Sequence, residues 1–136
     1  MILLCALIKL YYLLVHADNE LNEREVAVGN QMIKAEGITE NDFNATLDQL
    51  KKRAEANIYS ESVEELKRLD HKSQLRCVAW LCVVANADGF MDKLEWQFIY
   101  KIYHKELGLS LDEIMKVQKE LVALTFKRPQ TFSSIL

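Results

Sequence analysis

Asp88 and Glu95 bracket the run Asp88-Gly89-Phe90-Met91-Asp92-Lys93-Leu94-Glu95. Its order of acid, glycine, aliphatic residue and glutamate matches the closing positions of an EF-hand calcium loop. Asp18-Asn19-Glu20-Leu21-Asn22-Glu23-Arg24-Glu25 repeats that order, with Asn19 in place of the glycine. Carboxylate oxygens are hard donors, so Asp18, Glu25, Asp88 and Glu95 are candidate ligands for Ca2+ or Mg2+ rather than zinc. A standard EF-hand is excluded. Its first and third loop positions fall on Val84 and Asn86 in one run and on Leu14 and His16 in the other. A calcium ion that wants about six to eight oxygens gets none from valine or leucine. A purely structural reading stands beside the metal one. Glu25 and Glu95 each follow a good N-cap, Asn22 and Asp92, by three residues, which is the spacing of a capping box. Asp18 and Asp88 then serve as turn residues.

Other side chains offer less chemistry. His16, two residues before Asp18, corresponds to Asn86 in the second run, so the shared need is for a polar, hydrogen-bonding group beside the loop. His71 and His104 sit among charges and read as solvent-facing. No Ser-His-Asp or Cys-His spacing and no glycine-rich phosphate loop stands out, so an enzyme is not expected and no catalytic residue is assigned. With a net charge of −3 and one short basic cluster, Lys51-Lys52-Arg53, the chain lacks the patch that nucleic-acid binding needs. Cys5, Cys77 and Cys82 are odd in number, form no C-x-x-C pair and lie among aliphatic residues. They read as packing in a reduced compartment, which points to the cytoplasm.

The elements that must hold these residues are helices. Glycine occurs four times and proline once, and no strand-like alternation appears. The opening apolar run lacks a basic start and a cleavage site, carries Lys9, and is shorter than the ~20 residues of a membrane span. It reads as a buried helix 1, about Ile2 to Ala17, with no membrane insertion. Helix 2 runs from Asn22 to Gly37, and helix 3, capped by Thr39, carries Phe43, Leu47 and Leu50. A polar stretch, Glu55 to Ser60, breaks the pattern, and Ser62 with Glu65 opens a short helix 4 ending near Asp70. Helix 5, about Ser73 to Ala87, is the second mostly apolar segment. Helix 6 starts at Asp92, carries Trp96, Ile99, Ile102 and Tyr103, and stops at Gly108. Ser110 opens helix 7, with Ile114, Val117, Leu121 and Leu124 inward, and Pro129 ends the helical run. Phe132 and Ile135 give the tail, 126–136, residues able to dock on the body. Tyr11, Tyr12, Trp80, Trp96, Phe98, Tyr100 and Tyr103 fall at helical spacings and read as core.

The order of signals occurs twice. Ala17-Asp18 falls on Ala87-Asp88, Asn22 on Asp92 and Glu25 on Glu95 at an offset of 88 − 18 = 70. With one inserted residue, Gly37-Ile38-Thr39 falls on Gly108-Leu109-Ser110 and Phe43 on Ile114. A wholly apolar helix cannot be hidden by one such unit, but two units can bury both against each other. The expectation is one all-α domain over 1–136, a seven-helix bundle of two pseudo-two-fold repeats (about 1–54 and 73–125) with helices 1 and 5 central.

Ala87-Asp88-Gly89-x-Met91-Asp92-x-x-Glu95, preceded by an apolar helix and echoed at Ala17-Asp18…Glu25, resembles the TerB-like family over about residues 1–125. The resemblance implies a seven-helix bundle with pseudo-two-fold halves, serving as an ion-binding and protein-interaction module in stress responses such as tellurite resistance. It implies no enzymatic activity. It maps the family's acidic positions onto Asp18, Glu25, Asp88 and Glu95. A protein partner is expected, and a homodimer is compatible with so apolar a bundle. The competing reading is an interaction adaptor whose acids are helix caps only.

Overall fold

The computed structural model describes residues 2–17, 23–87 and 92–125. Among these residues the fold is all-helical: α1 (Ile2–Val15), α2 (Glu23–Ala35), α3 (Glu40–Leu50), α4 (Glu55–Lys67), α5 (His71–Ala85), α6 (Lys93–Tyr100) and α7 (Leu111–Thr125). The tail with Phe132 and Ile135 lies outside the described residues.

Burial follows the apolar segments. From Ala6 to Val15 every α1 residue except Lys9 is buried, and so is every α5 residue from Cys77 to Ala85. Each large side chain so hidden contributes roughly 1.5–3 kcal/mol of transfer free energy, which makes these two helices the thermodynamic centre. They pack on each other. α4 covers α1 most extensively, and α7 covers α5. α1 also meets α6, and α5 meets α2. No helix among the described residues is long and apolar enough to cross a membrane.

Caps set the helix starts. Thr39 accepts the Asp42 amide at 3.1 Å, Asp70 accepts that of Ser73 at 3.0 Å, and Asp92 accepts that of Leu94 at 2.9 Å. α2 ends as expected at a glycine. Gly37 has φ 75°, the left-handed conformation that costs a side chain dearly, and Gly108 repeats it at φ 65°.

Three expectations fail. The polar stretch Glu55 to Ser60 is not a break but the first half of α4. Ser62 does not cap that helix. It lies inside it, fully buried, donating its hydroxyl to the Tyr59 carbonyl at 2.8 Å. The helix begins at Ala54, which offers no side-chain cap, so the usual start signal is missing. Asp70 accordingly opens α5 at His71 rather than closing helix 4. Second, α6 does not run as an α-helix to Gly108. It passes into a π-helical turn over Lys101–Glu106, where the Leu107 amide reaches back five residues to the Ile102 carbonyl at 3.1 Å. Third, Leu124 faces outward, 62% exposed, while Ile114 and Leu121 are buried.

Candidate functional site

The four sequence-selected carboxylates divide by position. Asp18 and Asp88 lie outside the described residues. Glu25 and Glu95 are the third residues of α2 and α6, and both are buried, 4% and 2% exposed. Among the described residues only they and Ser62 are buried polar or charged residues. Burial of an ionised carboxylate is costly unless donors or positive charge compensate it. The first turn of a helix supplies both, through free amides and the dipole. The charge of Glu25 is felt by its neighbour: burial, then the nearby Glu25 carboxylate, push the Tyr11 phenol up to about 12. Tyr11 in turn approaches Gly29 of α2 closely, where a Cβ would stand 2.5 Å from its ring.

The end of α1 and the body of α6 meet at one end of the bundle. Cys77 Sγ of α5 lies 4.0 Å from the Leu3 carbonyl, so the first halves of α1 and α5 are neighbours. At the other end, Leu13 and Ala17 line a cleft together with Leu94, Gln97 and Phe98 of α6. The residue just before Asp18 therefore stands beside α6, the helix that carries Glu95. Among the described residues no three His, Cys, Asp or Glu side chains converge as a metal site. Two buried carboxylates fit a hard cation in donor type, but the remaining oxygens of a six-to-eight-ligand shell have to come from elsewhere.

His16 sits just past the end of α1. Its Nδ1–H donates to the Tyr12 carbonyl at 2.8 Å, because a carbonyl can only accept, and its ring lies 4.5 Å from that of Tyr12. The same residue borders a cleft of about 310 Å³ between α1, α2 and α3, whose walls include Tyr12, Phe43 and Lys51. His71 and His104 are exposed, as their setting suggested, and His71 lies 3.2 Å from Glu113 of α7.

Sequence reasoning missed the charged anchors. Lys9, alone in the apolar α1, binds Glu61 and Glu65 of α4, the latter at 2.8 Å. Arg53 forks onto Glu61 at 2.9 and 3.2 Å. These two cations hold the Glu61 carboxyl down to about 2, Arg53 contributing most. Burial alone would lower the Lys9 ammonium, but its bonds to Glu61 and Glu65 outweigh that and raise it. Glu36, at the end of α2, accepts from Trp80 Nε1 at 2.7 Å and Arg76 Nε at 2.6 Å. Glu106, at the end of the π turn, accepts from the Tyr59 hydroxyl at 2.9 Å. A signal for the first anchor existed: a lone lysine in a helix otherwise buried needs a carboxylate, and Glu61 and Glu65 are spaced by one helical turn. The cysteines behave as packing. Cys77 and Cys82 are buried, which pushes both thiols up to about 12, and both are free, as is the exposed Cys5.

Trp96 and Tyr100 correct the reading of the aromatics as core, each being 37% exposed beside the buried Tyr103. The rings of Tyr100 and His104 stack at 4.8 Å along the outer side of the π turn.

No curated protein and no solved structure matches the chain. The family model described as tellurite resistance protein TerB matches residues 4–119, from the first turns of α1 into α7. That stretch holds both acidic runs and well over half of the sequence, and the chain belongs to the TerB family.

Proposed function

We propose that this chain is a non-enzymatic, cytoplasmic binding module, one domain of two pseudo-two-fold repeats, whose acidic runs take up Ca2+ or Mg2+ in a tellurite or related stress response. Asp18 with Glu25 and Asp88 with Glu95 supply the carboxylates. The observation that carries the reading is the burial of Glu25 and Glu95, two of the four acids that spacing alone had selected. The repeat organisation is supported by reciprocal packing, α1 on α6 and α5 on α2, and by two matching helix closures. The Ile38 amide meets the Ile33 carbonyl and the Leu109 amide meets the Tyr103 carbonyl, each at 2.8 Å.

Titration calorimetry with Ca2+, Mg2+, Mn2+ and Zn2+, together with melting curves, tests the metal role. Heat and a raised Tm are expected with Ca2+ or Mg2+, lost in Glu25→Gln and Glu95→Gln. Absence of both with every ion ends the metal reading.

A second reading, an adaptor with structural acids, draws on the Asp92 cap at 2.9 Å and on apolar side chains left outside, Leu111, Met115 and Val122. It expects Asp88→Asn with Glu95→Gln to cost only about 0.5–2 kcal/mol, the worth of a cap, and to leave partner capture intact.

A further inference from the structure

α7 carries two apolar stripes, and the bundle uses one. Ile114 and Leu121 are fully buried, with Val117 partly so. On the other side Leu111, Met115 and Val122 are exposed, Met115 by 48%, with the half-buried Gln118 between them. Positions 111, 115, 118 and 122 follow one another at intervals of four, three and four. Steps of three and four residues keep these positions on one face of the helix, where they can pack against a facing helix. The surface between them is hollow. Met115, Gln118, Lys119 and Val122, together with Ala123, line a shallow groove. The first four are related as i, i+3, i+4 and i+7, the four corners of a hole that receives one knob from a facing helix.

We propose that this face of α7 pairs with the same face of a second copy, the two helices running antiparallel about a two-fold axis between residues 116 and 117. In that register Leu111 lies over Val122 of the other copy, and Met115 over Gln118. Met115 of each copy then seats in the groove of the other. The flanking charges choose this register and this partner. Asp112 and Lys119 border the seam on one side and are both exposed. Antiparallel pairing sets Asp112 of one copy beside Lys119 of the other, and the two-fold axis makes that ion pair twice. In a parallel pair these two flanking positions fall on the opposite side of the seam from their counterparts, so Asp112 of one copy would not meet Lys119 of the other. Self-complementarity of this kind is what an isologous interface requires of a single surface.

The seam is short, with three apolar side chains from each copy. It covers less than the ~800 Å² per partner of a standard stable interface, so the dimer is weak, with a Kd on the order of tens of micromolar. Sedimentation of the full chain from about 10 μM to about 1 mM spans the expected transition. Asp112→Lys alone, or Lys119→Asp alone, turns both attractions into repulsions and should weaken the dimer at least about tenfold. The double swap, Asp112→Lys with Lys119→Asp, restores the pairing and should recover the wild-type Kd within a factor of about two. Met115→Glu should leave a monomer at every concentration, with a circular dichroism spectrum and Tm close to wild type because the side chain is outside the core. A wild-type monomer up to about 1 mM overturns the proposal, whether another protein's helix or nothing then covers the face. A dimer indifferent to the single charge reversals, or not rescued by the double swap, overturns it equally.

Discussion

α2 and α6, which carry Glu25 and Glu95, finish in the same way with different lengths of chain. In α2 the Ile38 amide closes on the Ile33 carbonyl, a ring spanning five residues, and Gly37 makes the left-handed step. After α6 the Leu109 amide closes on the Tyr103 carbonyl, a ring spanning six, and Gly108 makes the step. Both closures measure 2.8 Å. The extra residue is absorbed upstream of the glycine by the π turn, so that Ile102 and Tyr103 before it and Leu109 after it all remain buried. A residue added inside an ordinary α-helix would rotate everything beyond it by about 100° and carry one apolar face out of the core. The π turn confines that surplus to a single bulge, at the cost of poorer local geometry. The two hairpins also differ inside. Where α1 and α2 set Tyr11 against Gly29, the positions 70 residues on are Leu81 and Ile99, both wholly buried. One hairpin combines a large side chain with a glycine, and the other has two of medium size at the matching positions.

Deleting one residue from each hairpin gives the largest contrast. Removal of Gln31, exposed on α2, should swing Met32 and Ile33 off the core, since α2 has no spare residue to lose. Losing even one such side chain from the interior costs about 2–5 kcal/mol, so the variant should be largely unfolded in urea titrations begun at 25 °C. Removal of Lys105, exposed in the π turn, should convert that turn to α-helix and cost no more than about 1 kcal/mol, the scale of a change at an exposed position. Equal damage from the two deletions would show that the π turn is not slack but part of the packing.

How much of this could be read beforehand depends on where the deciding force lay. Thr39, Asp92, Gly37 and Gly108 act through their own backbone neighbours, and local chemistry of that kind is visible in the letters. Glu25 and Glu95 were legible as a pair, but their burial is set by helices elsewhere in the chain. The start of α4 was illegible because Ala54 caps nothing and because a fully buried serine, Ser62, holds what looks like a cap position. Its hydroxyl is satisfied by the Tyr59 carbonyl one turn back, a bond that exists only once the helix does. Leu124 was assigned inward by its spacing from Leu121, and tertiary packing left it out, a choice periodicity does not make. The insertion of one residue between the two runs was countable, yet counting does not say whether a loop or a helix absorbs it.

The Tyr11–Gly29 pairing can be exchanged for its counterpart. Gly29→Ile alone forces a branched side chain into space held by the Tyr11 ring, and should destabilise by about 1–3 kcal/mol or somewhat more. Adding Tyr11→Leu removes the ring atoms that stood 2.5 Å from the new Cβ and reproduces the combination found at Leu81 and Ile99. A double-mutant cycle by urea denaturation should then show most of the loss recovered, a coupling of at least about 1 kcal/mol. Additive losses would mean that the hairpins are not interchangeable at this level.

The smallest effect concerns how each central helix is fastened. α5 reaches Glu36 through an indole N–H as well as a guanidinium, whereas among the described residues the polar ties of α1 to α4 are ion pairs, Lys9 to Glu61 and Glu65, with Arg53 bonded to the same Glu61. The Glu61 carboxyl titrates at about 2 in the fold against an ordinary 4.5. A carboxyl whose pKa falls on folding stabilises the fold fully above its unfolded value, and that contribution drains away as pH drops from about 4.5 to about 2. Glu61 is well exposed, so solvent screening keeps the effect modest. Amide exchange across that window should show α1 and α4 losing protection before α5, whose indole donor does not titrate. Arg53→Gln removes the largest influence on Glu61, so its stability should fall less steeply with acid than that of the wild type. Parallel acid curves for the two proteins would mean that Arg53 adds nothing to the fastening, and simultaneous loss of protection in α1 and α5 would erase the distinction between the two anchors.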